Sequence, residues 1–532
     1  MSGKLKYDDD PIPKKIDDSF SMHEKVANLF LISMFTLFPI VMSDKLFDVR
    51  NDRLHYFITT TIIFLCLVLS THICFIDKEK WPKKIFKLDI TDIGMLSFLV
   101  VCGISTLLSD YKKESFTGEA GRNSGLILMG VYFLCYFLIS RYLRYKEFVF
   151  DIFIFTSTVV CIIAVMHEFY FDPFNIVNTI SEDQRSIFIT TIGNINIFSA
   201  FVCVALPVVT AMLVMSEDAV VSLLYCIGTG ICFMGLIVAN SDSGYFGLVA
   251  FMAVLFVFSC GSASRLFKYF LSIFVMLLSG KVLMLIAKLL KENMRALDTV
   301  PHALVFSSRM YIFIAVSGVL ALAMFLVKTK YGSEHFPKAV QIAAGCLVGI
   351  SALGLAAVFC YFSFIDTTTE LGSLTKYLRL NDQWGTHRGY AWIRSVSLFK
   401  NGGIKNILVG TGPDTFGPVI KAIYREDMLK RHGSVFDNAH NEYLNYLVTV
   451  GALGLAAYLT ALISLVVRCI RRASGSLKFL IVILVIVSYC SQAMFNLAVP
   501  IVTPYLFVFL GIGESYIRRF DAQEKNAAKA EK

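Results

Sequence analysis

Charge is what this sequence has least of. Asp, Glu, Lys and Arg make up 17% of its 532 residues while 56% are hydrophobic, against roughly a quarter charged in a soluble globular chain. That deficit excludes a soluble globular protein of this length. The marks of several chemistries are missing too. No HExxH and no GxSxG occurs, so metal-assisted and serine hydrolysis have no motif to rest on. "VGTGPDTFG" at 409–417 is glycine-rich but lacks the GK[ST] ending of a phosphate-binding loop, and reads as a turn. No CxxC pair occurs among the cysteines: twelve fall inside apolar runs and Cys469 sits at an inner edge, so they read as small packing residues, with neither a disulfide frame nor a metal site. The first 25 residues are polar and Lys/Asp-rich, with no small-residue cleavage pattern before the apolar run that starts near Val26, so no cleavable signal is expected.

What is present is apolar length. Runs of about 17–25 residues cross a bilayer core as helices, and fourteen candidates occur, at 26–42, 54–76, 92–108, 125–140, 148–166, 191–215, 220–239, 245–260, 269–287, 309–327, 339–362, 443–467, 479–499 and 501–515. The expectation is an all-α polytopic membrane protein of 12–14 transmembrane helices. With the N-terminus inside, the densely basic segments "DKEKWPKK", "RYLRYK", "KTKYGSEHFPK", "RCIRRASGSLK" and the C-terminal tail all fall on the inner face, as the positive-inside bias requires. The net charge of +9 is therefore mostly topology, and no basic–aromatic stripe points to nucleic acid. The chain divides into an inner tail (1–25), eleven spans (26–362), a large outer loop (363–442), three final spans (443–515) and an inner tail (516–532).

Loops as long as 363–442 without a functional role are uncommon, so chemistry is sought on the outer face. Within the loop, Arg388, Trp392, Ser395 and Phe399 recur at helical spacing, and "PVIKAIYREDMLKRHG" is a second amphipathic run. Two short helices joined by a glycine-rich turn are expected. The loop ends in "FDNAHNEYLNYL" at 436–447, where polar side chains crowd the entrance to a span. Asp437 or Asn438 reads as the N-cap, placing His440 in the first turn, where the helix field disfavours a protonated imidazole. Asp437, Asn441 and Asn445 then form an i, i+4, i+8 polar stripe facing a cavity or a neighbouring helix. His440 and Glu442 also have a plain reading as interfacial capping residues.

Three arginines weigh against the plain reading. Arg122 in "GEAGRNSGL", Arg185 in "SEDQRSIFITTIGN" and Arg388 in "GTHRGYAW" stand at outer span boundaries, where cations are disfavoured. Guanidinium forks match phosphate oxygens, so together they suggest a diphosphate clamp around the histidine. Gly193, Asn194, Asn196 and Pro207 interrupt the otherwise apolar 190–208 segment, which also fits a kinked packed helix.

Four stretches together, "GRNSGL", "IGNINIFSAFVCVALP", "RGYAWIRS...ILVGTGPDTFG" and above all "DNAHNEYLNYLVTVGALGLAAYL", resemble the O-antigen ligase/O-antigen polymerase family of membrane glycosyltransferases, over roughly residues 120–510. The resemblance implies a GT-C-like helical architecture in a bacterial inner membrane. It implies transfer of a glycan from a polyprenyl-diphosphate carrier to an acceptor hydroxyl on the extracytoplasmic face, with inversion and without metal, nucleotide or other cofactor. Arginines matching Arg185 and Arg388 are expected to hold the diphosphate, with Arg122 beside them. The histidine matching His440 is expected to act as general base. Asp437, Asn438, Asn441 and Glu442 are expected to support the site, and Trp392, with Trp384 and Tyr390, offers flat faces to sugar rings. One departure stands out: many members carry Ser-Arg-Gly where this chain has "SDSGY", so Asp242 replaces one cation.

The competing expectation is a flippase for lipid-linked oligosaccharide. Transporters of this kind carry internal repeats and midplane charge; here no repeat is visible and the polar residues gather at the outer mouth. The acceptor, whether glycan, lipid or protein hydroxyl, has no signature in the loop.

Overall fold

The computed structural model describes residues 21–74, 87–144, 146–291, 293–332, 336–473, 476 and 478–530. The basic run at 77–84 and most of the expected N-terminal tail lie outside them. The protein is an all-α polytopic membrane protein. Among the described residues ten helices are long and apolar enough to cross a membrane: Val49–Cys74, Ile90–Leu107, Phe148–Glu168, Ile195–Met215, Ala219–Val238, Asp242–Ser259, Ala263–Leu289, Met310–Tyr331, Lys338–Ile365 and Gly451–Arg472. Leu126–Tyr142 and Lys478–Ala493 are shorter apolar helices. Among the described residues the sheet content is one antiparallel pair, Phe188–Ile189 with Gly193–Asn194.

All fourteen expected runs fall on helices, with several ends displaced. The first helix, Met22–Thr36, stops before residue 42. The twelfth run is broken at Gly451, whose φ of +68° closes the short helix Glu442–Thr449 and starts Gly451–Arg472 on a new axis. The last helix, Thr503–Ala530, runs through the expected tail.

Ile195–Met215 is the central post. It is apolar on every face and buried throughout 197–214, the fate of a helix without a polar face. Asn194 caps its start by accepting the Asn196 N–H at 2.9 Å. Ala219–Val238, Asp242–Ser259 and Lys478–Ala493 pack around it.

The bundle end opposite the large loop is tied by an ion network. Asp92, 1% exposed, accepts Arg141 Nη1 at 2.8 Å and the Tyr136 hydroxyl at 2.7 Å, while Arg518 Nη2 lies 2.5 Å from its other oxygen. Arg468 pairs with Glu514 at 2.7 Å. Asp89, Asp92 and Glu514 lie close enough to share a cation, but Arg141, Arg468 and Arg518 already match their charge. Asp92→Ala should cost about 3–5 kcal/mol, because it strands buried guanidiniums. A lowered unfolding midpoint in detergent would register this, with the activity of the folded fraction preserved.

At the other end the described residues of the large loop form the helices Trp384–Asn401, Gly403–Val409 and Phe416–His432 after the single turn Thr375–Leu378, more than the two expected. Tyr390, Leu398, Phe416, Ile420, Met428, Ala439 and Val448 give the loop its own small core. It is stitched to the bundle by Gly412 N–H to the Thr449 carbonyl at 2.8 Å and by the Ser109 hydroxyl to the Thr411 carbonyl at 2.5 Å.

Candidate active site at the loop end of the bundle

The polar run before Glu442–Thr449 folds as an Asx-turn and only then as a helix. Asn438 accepts the His440 N–H at 2.7 Å, and Asn441 accepts the Leu444 N–H at 2.9 Å. The N-cap is therefore Asn441, not Asp437 or Asn438, because the Asn438 oxygen is already committed to His440. His440 stands just outside the helix with φ +46°. A non-glycine residue in this region carries strain, a feature that clusters at functional sites. The expected stripe of Asp437, Asn441 and Asn445 is accordingly not a helix face.

Among the described residues none hydrogen-bonds the His440 ring. Burial pushes its pKa down to about 4, with Arg388 and then Arg122 adding to the shift and Asp437 opposing it. The imidazole is neutral at pH 7 and has a lone pair to offer.

Arg122 reaches the same spot from the 118–125 turn, 7% exposed, with Nη2 2.5 Å from Asp437 Oδ2. Burial acts to raise the Asp437 pKa, but Arg122 and the Asn438 amide outweigh it and hold the carboxylate below its ordinary range. The turn is too tight for a side chain at Gly118, where φ is +101° and a Cβ would lie 2.3 Å from the Asn123 Cα. It is fastened by Asp414, whose Oδ2 accepts the N–H groups of Glu119 at 2.8 Å and Ser124 at 2.9 Å. Burial pushes Asp414 up to about 6, against these two bonds and Arg122. Arg50 donates to the Gly121 carbonyl and adds a further positive charge near Arg122 and Asp437.

Arg388 follows a left-handed run at Gly385, Thr386 and His387, with φ of 58°, 59° and 69°. The next residue is glycine by necessity: a Cβ at Gly389 would lie 1.9 Å from the Asn381 carbonyl oxygen. Among the described residues no carboxylate pairs with Arg388. Burial lowers its pKa and Asp242, which takes the place of the expected cation, opposes this from nearby. Trp392 packs against Trp384 at 5.0 Å and stacks on Phe495 at 5.8 Å between centroids. Phe246 extends this aromatic wall, 4.2 Å from Phe495.

The structure thus gathers His440, Arg388, Arg122, Asp437 and Asn438. Two expected members lie elsewhere. Arg185 lines a separate cavity and gives Nε and Nη2 to the carbonyls of Ile180 and Asn178, both at 2.9 Å. Glu442 turns into the core, where its oxygens accept the hydroxyls of Tyr458 at 2.6 Å and Tyr489 at 3.0 Å. Asp414 and Arg50 were missed by sequence reading: Asp414 sits in a segment whose Gly and Pro residues signal only a turn, and Arg50 opens a span. A carboxylate inside a glycine-rich turn that must become buried was the available signal.

Asp414→Ala should lower kcat/KM about tenfold by unfastening Arg122, the scale of a lost hydrogen bond to a charged group. Asp414→Ala and Arg122→Ala should be strongly non-additive, since both disable the same guanidinium. A double-mutant cycle on transfer rates measures this.

Residues 302–459 are similar to the family model described as O-Antigen ligase. The matched segment contains Arg388, Trp392, Asp414, Asp437 and His440; Arg122 and Arg185 lie outside it. No curated protein matches the chain.

Proposed function

We propose that this membrane protein transfers a glycan from a polyprenyl-diphosphate carrier to an acceptor hydroxyl at the extracytoplasmic face of a bacterial inner membrane. The observation that carries the reading is the neutral His440 ring, to which no described residue hydrogen-bonds, within electrostatic reach of the buried Arg122 and the half-buried Arg388 from distant parts of the chain. His440 takes the acceptor O–H proton as the oxygen attacks the anomeric carbon. The bond from that carbon to the diphosphate oxygen breaks, and the leaving group keeps the electron pair. Arg388 and Arg122 balance the charge that develops there, as fixed cations aimed at a leaving group do. One in-line displacement inverts the anomeric configuration. The wall of Trp392, Trp384 and Phe495 offers apolar surface beside the phosphates, on the side where a lipid tail enters.

The test is reconstitution in vesicles with lipid-linked glycan donor and a hydroxyl acceptor. The expected result is a product of opposite anomeric configuration to the donor, formed only when donor and acceptor share the face bearing the large loop. Retained configuration, or donor crossing the bilayer without transfer, overturns the reading.

A further inference from the structure

Beside the proposed site lies a cavity of about 600 Å³, lined by His167, Glu168, Tyr170, Arg185, Asn240 and Arg295 among others. That volume suits a ligand of several rings rather than a single ion, within the roughly 300–1,000 Å³ of small-molecule sites. Its walls are set without a ligand. Asp172 accepts the N–H groups of Ile176, Val177 and Asn178 at 2.7–3.0 Å, folding the 170–187 loop around itself. Thr190 N–H donates to His167 Nδ1 at 3.0 Å, so the proton of the neutral ring sits on Nε2, facing Asp172 at 3.2 Å. Arg295 Nη2 donates to the Phe188 carbonyl at 3.1 Å, and its N–H to the Glu168 carbonyl at 3.0 Å.

On these walls a buried carboxyl oxygen is left over. Glu168 is 1% exposed, and its Oε1 takes no hydrogen bond from any described residue. Native structures leave few buried acceptors unmet, and each such atom asks for a partner. At the rim, Tyr170 is 64% exposed and held at φ +57°. The lining offers an anion little: both Arg185 and Arg295 guanidiniums are engaged with backbone carbonyls, and Asp172 and Glu182 stand on the same walls. Carboxylate acceptors with an aromatic face match sugar hydroxyls and the apolar face of a pyranose.

We propose that this cavity is a carbohydrate subsite, in which the Glu168 carboxyl group hydrogen-bonds the hydroxyls of a sugar ring that rests on Tyr170. The inference rests on the glycan-transfer reading and adds to it the place where the glycan is gripped. Asn240 on the wall binds the Asp298 N–H at 2.7 Å, and Asp242, two residues on, lies within electrostatic reach of Asp298 and Arg388. The cavity wall at Asn240 is thus linked through Asp298 and Asp242 to the surroundings of Arg388. The ring belongs to the donor or to the acceptor, and the chemistry of the walls is the same for both.

The test uses the full-length protein in nanodiscs with Glu168→Gln, which keeps the side-chain shape, and Tyr170→Ala, which removes an exposed ring. Both should raise KM about tenfold for one substrate and leave kcat within about twofold. A rise for the lipid-linked substrate assigns the cavity to the donor, and a rise for the hydroxyl substrate assigns it to the acceptor. Unchanged KM values for both, or a fall confined to kcat, overturns the subsite. Saturation-transfer NMR with the soluble oligosaccharide released from the lipid-linked donor by mild acid, and with the acceptor oligosaccharide, gives a readout independent of transfer. Binding that both variants weaken, that His440→Asn leaves intact and that inorganic pyrophosphate does not displace supports the subsite even if no transfer occurs, in which case the catalytic reading alone falls. Displacement by pyrophosphate marks an anion site and overturns the proposal.

Discussion

His440→Asn should lower glycan transfer by about 10²–10⁴-fold, the range supplied by a positioned general base, with little change in KM for the lipid-linked donor. Asparagine is the informative replacement. His440 has φ +46°, which Asn tolerates better than other non-glycine residues, so the Asx-turn and the Asn441 cap survive while the base is lost. The Asn438 and Asn441 contacts use backbone N–H groups that every residue retains. Cells carrying the variant should accumulate lipid-linked donor on the outer leaflet. Accumulation inside would instead mark a translocation defect.

Arg388→Ala has the second-largest expected effect, a fall of about 10²–10³-fold in kcat, comparable to removing a preorganised group that stabilises developing charge. Arg388→Lys should recover only part of it, because an ammonium lacks the planar fork that grips two phosphate oxygens. The substitution should also act on His440. Arg388 is, after burial, the largest contributor holding that imidazole neutral, so its loss moves the His440 pKa upward. The linkage sign follows. A histidine with a depressed folded pKa contributes stability that is present above pH 6.5 and lost as pH falls through about 4. Arg388→Ala should shrink this acid-side loss, and urea unfolding at pH 7 and pH 5 measures the difference.

Much of this was legible in the residues. Apolar runs located the helices because a bilayer demands internally bonded backbone over a fixed length. The polar stretch at 436–447 marked the site because such residues are costly at a span entrance unless they face something other than lipid. What sequence spacing could not give was which oxygen caps which N–H. Asn438 and Asn441 are both competent caps, and only the folded turn assigns one to His440 and the other to Leu444. Glu442 was read as part of the site from its nearness to His440, yet its partners, Tyr458 and Tyr489, lie 16 and 47 residues away. Position at a span boundary groups Arg185 with the other two cations, but its guanidinium closes its own loop. The cavity at Glu168 was invisible for the same reason: its walls come from residues 167–187, 195, 238–240 and 295–296, which share no local pattern.

The claim on which the account turns is that His440 is an uncharged imidazole held so by its surroundings. Nitrogen-15 NMR of histidine-labelled protein, with the His440 signal identified by its loss in His440→Asn, measures this directly. The account predicts a neutral ring from pH 8 down to below 5, titrating at about 4, and a higher value in Arg388→Ala. Titration near 6.5 that ignores the arginine would contradict it.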